Sequence, residues 1–235
     1  MIKALIKIFF IVIVTIILSS LVIILTPLNF KGKISDFIAK LWAKTLLAIS
    51  FVKIKRIGLE NIEKNKNYIF ISNHSSMFDI LIVLAGIPNN IRFVAKKELF
   101  KIPIFGWSMI MAGYVSIDRE KSVKAMRSIE EAAEKIKKGI SVILFAEGTR
   151  SKDGSIQPFK RGPFLLASKT KVPIIPVTIN GAAKILPKKS LRINSGTLEI
   201  IFGKPIPTDN ILTKSDEIEL LNNVRNEIIK NYKEE

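Results

Sequence analysis

The sequence contains a single histidine, His74, and an aspartate follows it at Asp79. In a regular helix a five-residue step turns about 500°, which leaves the two side chains about 140° apart. Asp79 can therefore reach His74 only if the histidine lies in the turn before the helix. The order Ser76-x-x-Asp79 resembles a capping box and predicts a helix start at Ser75 or Ser76, which places His74 in that turn. A carboxylate bonded to one imidazole nitrogen fixes the tautomer, so the other nitrogen can accept a proton from a hydroxyl.

The same two residues also have a plain structural interpretation, namely a hydrogen-bonded core histidine and a helix-capping aspartate. The pattern His-x-x-x-x-Asp is weakly specific, and its spacing alone favours this structural interpretation.

A second group of chemically useful residues, Glu147-Gly148-Thr149-Arg150, follows an apolar run that predicts a strand over residues 142–145. An acid, a hydroxyl and an arginine at a strand end suit hydroxyl and phosphate groups, because arginine binds phosphate oxygens with two parallel N–H donors. Lys160 adds a cation before the next predicted helix, and Lys97 and Arg119 lie earlier in the chain. All of these charges also fit a solvated turn or an ordinary surface, and spacing alone leaves both interpretations open.

Composition limits the classes of function. Lys and Arg number 37 against 20 Asp and Glu, a net charge of +17, while 48% of the residues are hydrophobic. Such a charge favours nucleic acid, anionic lipid or an acidic substrate as partner. The chain has no cysteine and one histidine, which excludes disulfides, thiolate nucleophiles and multi-histidine metal centres. Phe supplies 14 of the 19 aromatic residues and no basic stripe is interleaved with aromatics, so no nucleic-acid partner is expected.

The apolar residues are concentrated in an uncharged run of 23 residues, 8–30. A helix needs about 20 apolar residues to cross the hydrocarbon of a bilayer. A signal peptide is disfavoured, because its apolar region would be about 7–15 residues long and a small-residue cleavage site would follow. A buried core helix is disfavoured because helices of soluble domains usually carry one polar face. The run therefore predicts a membrane-anchoring helix.

Residues 34–52 predict a different, amphipathic helix. Its apolar residues recur at helical spacing with Lys40 and Lys44 between them: Phe37, Ile38, Leu41, Trp42, Leu46 and Ile49. Such a helix fits the membrane surface and packing on the soluble domain equally well. We therefore predict a membrane anchor over residues 1–52 and a catalytic domain over 53–235.

After residue 50, short β-type runs alternate with helical stretches, which predicts an α/β fold. Strands are predicted over residues 51–57, 67–72, 91–95, 114–117, 141–146 and 172–179, and helices over 76–85, 122–138 and 215–232. Pro173 and Pro176 favour an edge position or a strand start for the last of these strands. A hairpin is predicted over residues 191–202, turning at Asn194-Ser195-Gly196.

Together, four blocks of sequence resemble the 1-acyl-sn-glycerol-3-phosphate acyltransferase (PlsC-type) family, over roughly residues 55–205. In chain order they are Asn73-His74-Ser75-Ser76-Met77-Phe78-Asp79; Lys97-Glu98-Leu99 with Pro103, Gly106 and Ile117-Asp118-Arg119; Phe145-Ala146-Glu147-Gly148-Thr149-Arg150-Ser151; and Val172-Pro173-Ile174-Ile175-Pro176-Val177. Asp79, where the lipid A secondary acyltransferases have Glu, favours acylation of a glycerolipid.

The resemblance implies a mixed β-sheet flanked by helices and an acyl transfer to the 2-hydroxyl of lysophosphatidic acid. His74 would be the general base and Asp79 would orient it. Glu147, Gly148, Thr149 and Arg150 would bind the glycerol phosphate, with Arg119, Lys97 and Lys160 as further phosphate ligands. Pro176 would shape the acyl-donor pocket, and backbone N–H groups near His74 are candidates to stabilise the oxyanion.

The same resemblance implies an acyl-CoA or acyl-carrier-protein donor, no metal and no cofactor. The bilayer is the expected partner, and the basic residues after residue 30 favour a cell-membrane protein whose catalytic domain faces the cytoplasm. The sequence does not decide whether the first helix spans the bilayer or dips into one leaflet. Glycerol 3-phosphate or another lysophospholipid remains an alternative acceptor, and a non-enzymatic lipid-binding protein an alternative class. A hydrolase is disfavoured because the chain has no Gly-x-Ser-x-Gly motif.

Overall fold

The computed structural model describes residues 2–28, 32–118, 122–151 and 154–233. Within them, seven strands form one sheet: β1 (Val52–Ile57), β2 (Ile69–Ser72), β3 (Ile91–Lys96), β4 (Val115–Ile117), β5 (Ser141–Phe145), β6 (Ile174–Asn180) and β7 (Gly196–Phe202). The strand order is β1-β7-β6-β2-β5-β3-β4. Neighbouring strands are parallel except β6 and β7, which are antiparallel. The predicted mixed sheet is therefore confirmed.

Helices cover both faces of this sheet: α1 (Ile2–Leu25), α2 (Lys33–Ile49), α3 (Phe78–Gly86), α4 (Phe105–Met111), α5 (Ser122–Lys137), α6 (Gly162–Thr170), α7 (Ala182–Ile185) and α8 (Lys214–Asn231). One hydrophobic core joins the sheet to α2, α3 and α7, and a second joins its other face to α5, α6 and α8. Side chains of a strand alternate between faces, and in β2 Phe70 lies in the first core while Ile69 and Ile71 lie in the second.

The position of strand β2 in the sheet brings the loops that follow two strands close together. This strand lies between β5 and β6 and is parallel to both, so the carboxyl ends of all three strands meet at one edge of the sheet. The register pairs Ser72 with Phe145 and Val177. The loops that follow Ser72 and Phe145 must therefore leave the sheet side by side.

Helix α1 lies along the domain and packs against α2 and α4. The indole N–H of Trp42 donates to Thr15 Oγ1 at 2.9 Å, and Lys7 Nζ donates to the Ser50 carbonyl at 3.3 Å. The segment Ala4–Leu28 is long and apolar enough to cross a membrane, and 11% of its most apolar stretch is buried. The predicted apolar helix is present; residues 29–30 of the predicted run lie outside the described residues.

Helix α2, which the sequence assigns to the membrane anchor over residues 1–52, packs against the domain predicted over residues 53–235. Its inner side chains Ala43, Leu46 and Leu47 belong to the core that contains α3 and the sheet. Its outer side chain Phe37 is 67% exposed. The helix therefore packs on the domain and also presents an apolar residue to the surroundings, and the boundary at residue 52 stays a prediction.

Of the two predicted placements of the proline-bearing strand, the edge position is wrong, because β6 lies between β2 and β7, whereas Pro173 does stand at the strand start, directly before Ile174. The Pro176 carbonyl accepts the Gly203 N–H at 2.9 Å, where the neighbouring chain has left β7. That chain pairs with β6 again only at Ile206, opposite Ile174. The missing N–H of Pro176 faces this break in the pairing, so an interior strand tolerates the proline.

The predicted hairpin over residues 191–202 is also wrong. Strand β7 begins at Gly196, and the residues before it form no strand. The Asn194 N–H donates instead to the Ile185 carbonyl at 2.9 Å, which closes a loop after α7. The turn-forming residues thus end a loop rather than connect two strands.

Candidate active site

His74 lies in the turn between β2 and α3, and Asp79 lies in the first turn of α3. Imidazole Nδ1 is 2.8 Å from Asp79 Oδ2, and the aspartate is fully buried. A carboxylate can only accept, so Nδ1 carries the hydrogen and Nε2 keeps its lone pair. Among the residues that the structure describes, Nε2 has no hydrogen-bond partner. The geometry expected from the His74–Asp79 spacing is confirmed.

Asp79 also organises the turn itself. Its Oδ2 accepts the backbone N–H groups of Ser75 and Ser76, each at 2.7 Å. Helix α3 begins at Phe78, two or three residues after the start predicted at Ser75 or Ser76. The Ser76 hydroxyl accepts the Phe78 N–H and donates to the Leu186 carbonyl. Only the aspartate half of the predicted capping box forms.

These contacts engage three of the backbone N–H groups that were candidates to stabilise the oxyanion. The N–H groups of Ser75 and Ser76 are engaged by Asp79, and the His74 N–H donates to Glu147 Oε1 at 2.7 Å. None of these three is free to stabilise developing negative charge, and the expectation that other backbone N–H groups near His74 do so stays a prediction.

The Phe145 ring supports the imidazole from one side. The two ring centroids are 4.0 Å apart and the ring planes differ by 11°, which is a stacked arrangement. Phe145 is the last residue of β5, level with Ser72 in β2. The His74 side chain is 12% exposed, so stacking and the aspartate leave a narrow approach to Nε2.

Main-chain contacts join the loop that follows β5 to the His74 turn. The Ala146 N–H donates to the Ser72 carbonyl at 3.2 Å, and the Ser151 N–H donates to the His74 carbonyl at 2.8 Å. Glu147 adds the bond from the His74 N–H described above. Two blocks that are more than 70 residues apart in sequence therefore form one unit at the sheet edge.

Glu147 is buried in this unit, and its carboxylate contacts the backbone. Besides the His74 N–H, it accepts the Gln157 N–H at 3.0 Å through Oε2. Burial raises the pKa of Glu147 to about 7, an effect that the two N–H donors partly offset. Its predicted contact with the substrate stays a prediction, since the contacts described here fix the position of His74.

The other residues of this block point outward. Gly148 has φ +73°, a left-handed conformation that a side chain would strain, and the Lys160 side chain lies beside it. Thr149 is exposed and Arg150 is half-buried. The Arg150 carbonyl accepts Lys188 Nζ at 2.6 Å, and its guanidinium forms no ion pair with a described residue.

Three predicted site residues remain, Lys97, Arg119 and Pro176. Lys97 follows β3 and forms an ion pair with Asp118 at 2.9 Å. Arg119 lies outside the described residues. Pro176 is buried in β6 level with Ile71, and its part in an acyl-donor pocket stays a prediction.

Comparison with known proteins places this geometry in a family. The family model described as Acyltransferase matches residues 53–180, more than half of the chain. The chain belongs to the acyltransferase family. Its His74–Asp79 block and its Glu147–Arg150 block both lie in the matched region.

Curated relatives of this acyltransferase carry a more specific name. A 1-acyl-sn-glycerol-3-phosphate acyltransferase of Brassica napus is 40% identical over 76% of this chain and 52% of its own. Proteins of the same name from Arabidopsis thaliana and Saccharomyces cerevisiae are 39% and 35% identical over 84% and 77% of this chain, and 55% and 60% of their own. The chain thus spans about half the length of these curated relatives.

A solved structure matches over nearly the whole chain. The crystal structure of the 1-acyl-sn-glycerophosphate (LPA) acyltransferase PlsC from Thermotoga maritima superposes with a TM-score of 0.81 at 28% identity. The match covers 97% of this acyltransferase and 92% of that chain, including α1 and α2. The two chains share the fold from the apolar helices to the last helix.

Sequence reasoning missed two parts of the site. The stacking of Phe145 follows from the β2–β5 register, which no local pattern reveals. The sequence did not predict the hydrogen bond from the His74 N–H to Glu147 either. An acidic residue directly after a buried strand does, however, indicate a carboxylate that needs a hydrogen-bond donor from within the protein.

Proposed function

We propose that this acyltransferase transfers a fatty acyl group from an acyl thioester to the sn-2 hydroxyl of 1-acyl-sn-glycerol 3-phosphate, giving phosphatidic acid. The observation that carries the proposal is the His74–Asp79 pair, with Nε2 free, joined by main-chain contacts to the loop that bears Arg150. The names of the curated relatives and of the Thermotoga maritima structure support the choice of acceptor.

In the proposed mechanism the acceptor hydroxyl gives its proton to His74 Nε2 while its oxygen attacks the thioester carbonyl carbon. Asp79 holds Nδ1–H and stabilises the imidazolium that forms. When the tetrahedral intermediate collapses, the C–S bond breaks and the proton passes from Nε2 to the departing thiolate sulfur. The products are the ester and a free thiol, and no acyl-enzyme is needed because the nucleophile belongs to the substrate.

We propose Arg150 as the main ligand of the substrate phosphate, because the residue is half-buried, precedes Ser151 whose N–H bonds to the His74 carbonyl, and forms no ion pair with a described residue. Lys160 lies next to Gly148 in the same unit and is a second cation for this phosphate. Lys97 contributes less charge, since Asp118 already neutralises it. Arg119 remains a candidate from its sequence position alone.

We propose CoA or an acyl carrier protein as the carrier of the acyl donor, with no metal and no further cofactor. This donor is consistent with the proposed mechanism, in which base, positioning and charge stabilisation come from the chain. The relatives' names identify the acceptor and not the donor, so an activity assay must separate the two carriers.

We propose that α1 lies in one leaflet of the cell membrane, with the catalytic domain on the cytoplasmic side. The helix packs on α2 and α4 along its length, with Lys7 bonded to the domain near one end and Val22 buried near the other. A perpendicular α1 would carry the domain into the hydrocarbon, where its polar surface is costly. The net charge of +17 suits the anionic cytoplasmic leaflet.

A matrix of acceptors and donors tests the proposed reaction. Purified protein is offered lysophosphatidic acid, glycerol 3-phosphate or another lysophospholipid, each with acyl-CoA and with acyl-carrier protein. We expect transfer to lysophosphatidic acid with at least one donor and its loss in His74→Ala. The matched control is Met77→Ala, an exposed residue of the same turn, which should remain active.

Two results would contradict the proposal. Preferential acylation of glycerol 3-phosphate would assign the neighbouring specificity. Near-normal activity of a folded His74→Ala variant would remove His74 from the reaction.

A further inference from the structure

The loop between β6 and β7, residues 181–195, lies over the edge of the sheet that holds His74. Strand β6 ends and strand β7 begins at this edge, because β6 runs parallel to β2 and β7 returns antiparallel to β6. The Ser76 hydroxyl donates to the Leu186 carbonyl at 2.9 Å, and Lys188 Nζ donates to the Arg150 carbonyl at 2.6 Å. The loop therefore contacts both the His74 turn and the Arg150 turn.

The tip of this loop is strongly basic and carries one exposed apolar side chain. Residues 181–195 contain no acid and four cations: Lys184, Lys188, Lys189 and Arg192. None of the four forms an ion pair with a residue that the structure describes. Leu191, between the last two, is 72% exposed. Cations around an exposed apolar residue are typical of a surface that meets anionic lipid.

The loop is also continuous with the apolar face of α1. Lys7 Nζ in α1 donates to the Ile193 carbonyl at 3.2 Å as well as to Ser50. The adjacent Phe51 is 72% exposed, with Lys7 Nζ 5.5 Å from its ring centroid, and its carbonyl accepts the Gly196 N–H. Exposed apolar residues continue along the same end of α1: Leu5, Ile6 and Phe9.

We propose that the loop tip, residues 187–193, is a second membrane contact of this protein. Leu191 enters the headgroup region of the leaflet that holds α1, while Lys189 and Arg192 bind the phosphates of anionic phospholipids. This inference rests on the proposed one-leaflet position of α1. The contact holds the active-site edge at the level of the headgroups, where the phosphate of a lysophospholipid also lies.

Charge alone would equally suit an acidic carrier protein as the occupant of this surface. Two observations favour the bilayer, namely the bond from Lys7 of α1 to the loop and the exposed apolar residues that join the two. An acidic protein could bind to the cations of the loop, but its binding would not require the loop to adjoin the apolar face of α1.

The chain has no cysteine, so a fluorophore can be placed at one position of the full-length protein. We choose Leu191→Cys for the loop tip. The matched control is Leu212→Cys, which is 80% exposed and precedes α8 on the opposite face of the sheet. Both labelled proteins are bound to vesicles of phosphatidylcholine with and without phosphatidylglycerol, some of which contain lipids brominated near the glycerol end of their chains.

We expect the label at position 191 to be quenched by brominated lipid several-fold more than the label at position 212, and more strongly when phosphatidylglycerol is present. Reversal of the two flanking charges, Lys189→Glu with Arg192→Glu, should remove the dependence on phosphatidylglycerol. Equal quenching at positions 191 and 212 would overturn the proposal.

A different outcome would assign the loop to the acyl donor. If the labels at positions 191 and 212 are quenched equally and the charge reversal raises the KM for the thioester donor, the surface binds a carrier and the membrane contact is wrong. Acyl transfer to lysophosphatidic acid is measured on the same preparations. Loss of transfer with retained quenching counts against the proposed reaction alone, while transfer without quenching counts against the loop contact alone.

Discussion

His74 is held from three directions by groups that come from two parts of the chain, the start of α3 and the end of β5 with the loop after it. Asp79 bonds to its Nδ1, the Phe145 ring stacks on its face, and Glu147 accepts its backbone N–H. Each contact fixes a different degree of freedom: the tautomer, the plane of the ring and the position of the backbone. Together they direct Nε2 toward the approach that remains open.

Asp79→Asn should reduce kcat by about 10³–10⁴-fold, because an amide can donate to Nδ1 and so stabilise the wrong tautomer. It should also cost about 1–3 kcal/mol of stability, since the side chain is buried and accepts two backbone N–H groups. Steady-state kinetics and denaturant unfolding in detergent measure the two effects. Asp209→Asn, at an exposed position, is the control and should change neither.

The raised pKa of Glu147 predicts a pH dependence of stability. A carboxyl that titrates near pH 7 in the folded protein and near 4.5 when unfolded binds more protons in the folded state between those values. Its contribution to stability is therefore complete below about pH 4.5 and is lost as the pH rises through about 7, by at most about 3 kcal/mol.

Glu147→Gln should remove this contribution. The difference in unfolding free energy between the wild type and the variant should shift against the wild type between pH 5 and pH 8, as measured by denaturant unfolding at each pH. Glu219→Gln, an exposed substitution on α8, should retain the pH dependence of the wild type. Parallel curves for the wild type and Glu147→Gln would contradict the assigned cause.

At the scale of elements, the site is a consequence of the parallel arrangement of β2, β5 and β6. Their shared carboxyl edge brings the His74 turn beside the Arg150 turn. Gly148, in the loop after β5, has a left-handed backbone conformation two residues before Arg150.

Arg150→Ala should weaken binding of lysophosphatidic acid and lower kcat/KM for it by about 10- to 100-fold, because a charge-assisted hydrogen bond to phosphate contributes about 1.5–3 kcal/mol. The KM for the thioester donor should change little. Kinetics with each substrate varied in turn separate the two constants. Arg127→Ala, at an exposed position on α5, controls for the loss of one positive charge; a rise only in the donor KM would contradict the phosphate assignment.

At the scale of the whole molecule, a large exposed apolar surface lies along α1, on one side of the protein. The outward face of α1 exposes large hydrophobic residues along its length, among them Phe9, Ile17 and Ile24. The opposite face of the protein is covered by α5, α6 and α8, whose exposed residues are mostly polar. One side is therefore suited to lipid and the other to water.

Ile17→Glu combined with Ile24→Glu should weaken membrane binding strongly, because each glutamate must leave the hydrocarbon or carry its charge into it. Both residues are more than half exposed, so the fold should be preserved. Flotation with vesicles measures the bound fraction. Ile229→Glu on α8 is the control and should bind like the wild type.

Much of the fold follows from local patterns, which the sequence displays directly. The period of apolar residues predicts the strands and helices of the sheet layers, and the uncharged run predicts α1, because the geometry of each element is local. The His74–Asp79 contact is also local, because the two residues are five positions apart and a single turn brings their side chains together. The interior position of β6 was not predictable, since Pro176 is tolerated only because of a break in the neighbouring strand that lies about 27 residues further along the chain.

The sequence by itself determined the residue types available for chemistry, the α/β alternation and the apolar helix. Only the tertiary structure decided that Phe145 stacks on His74, that Glu147 holds its backbone and that a basic loop covers the active-site edge. The reason is physical: these contacts depend on strand order and register between distant segments. Both are set by which apolar faces pack together over the whole chain, and no window of neighbouring residues contains that information.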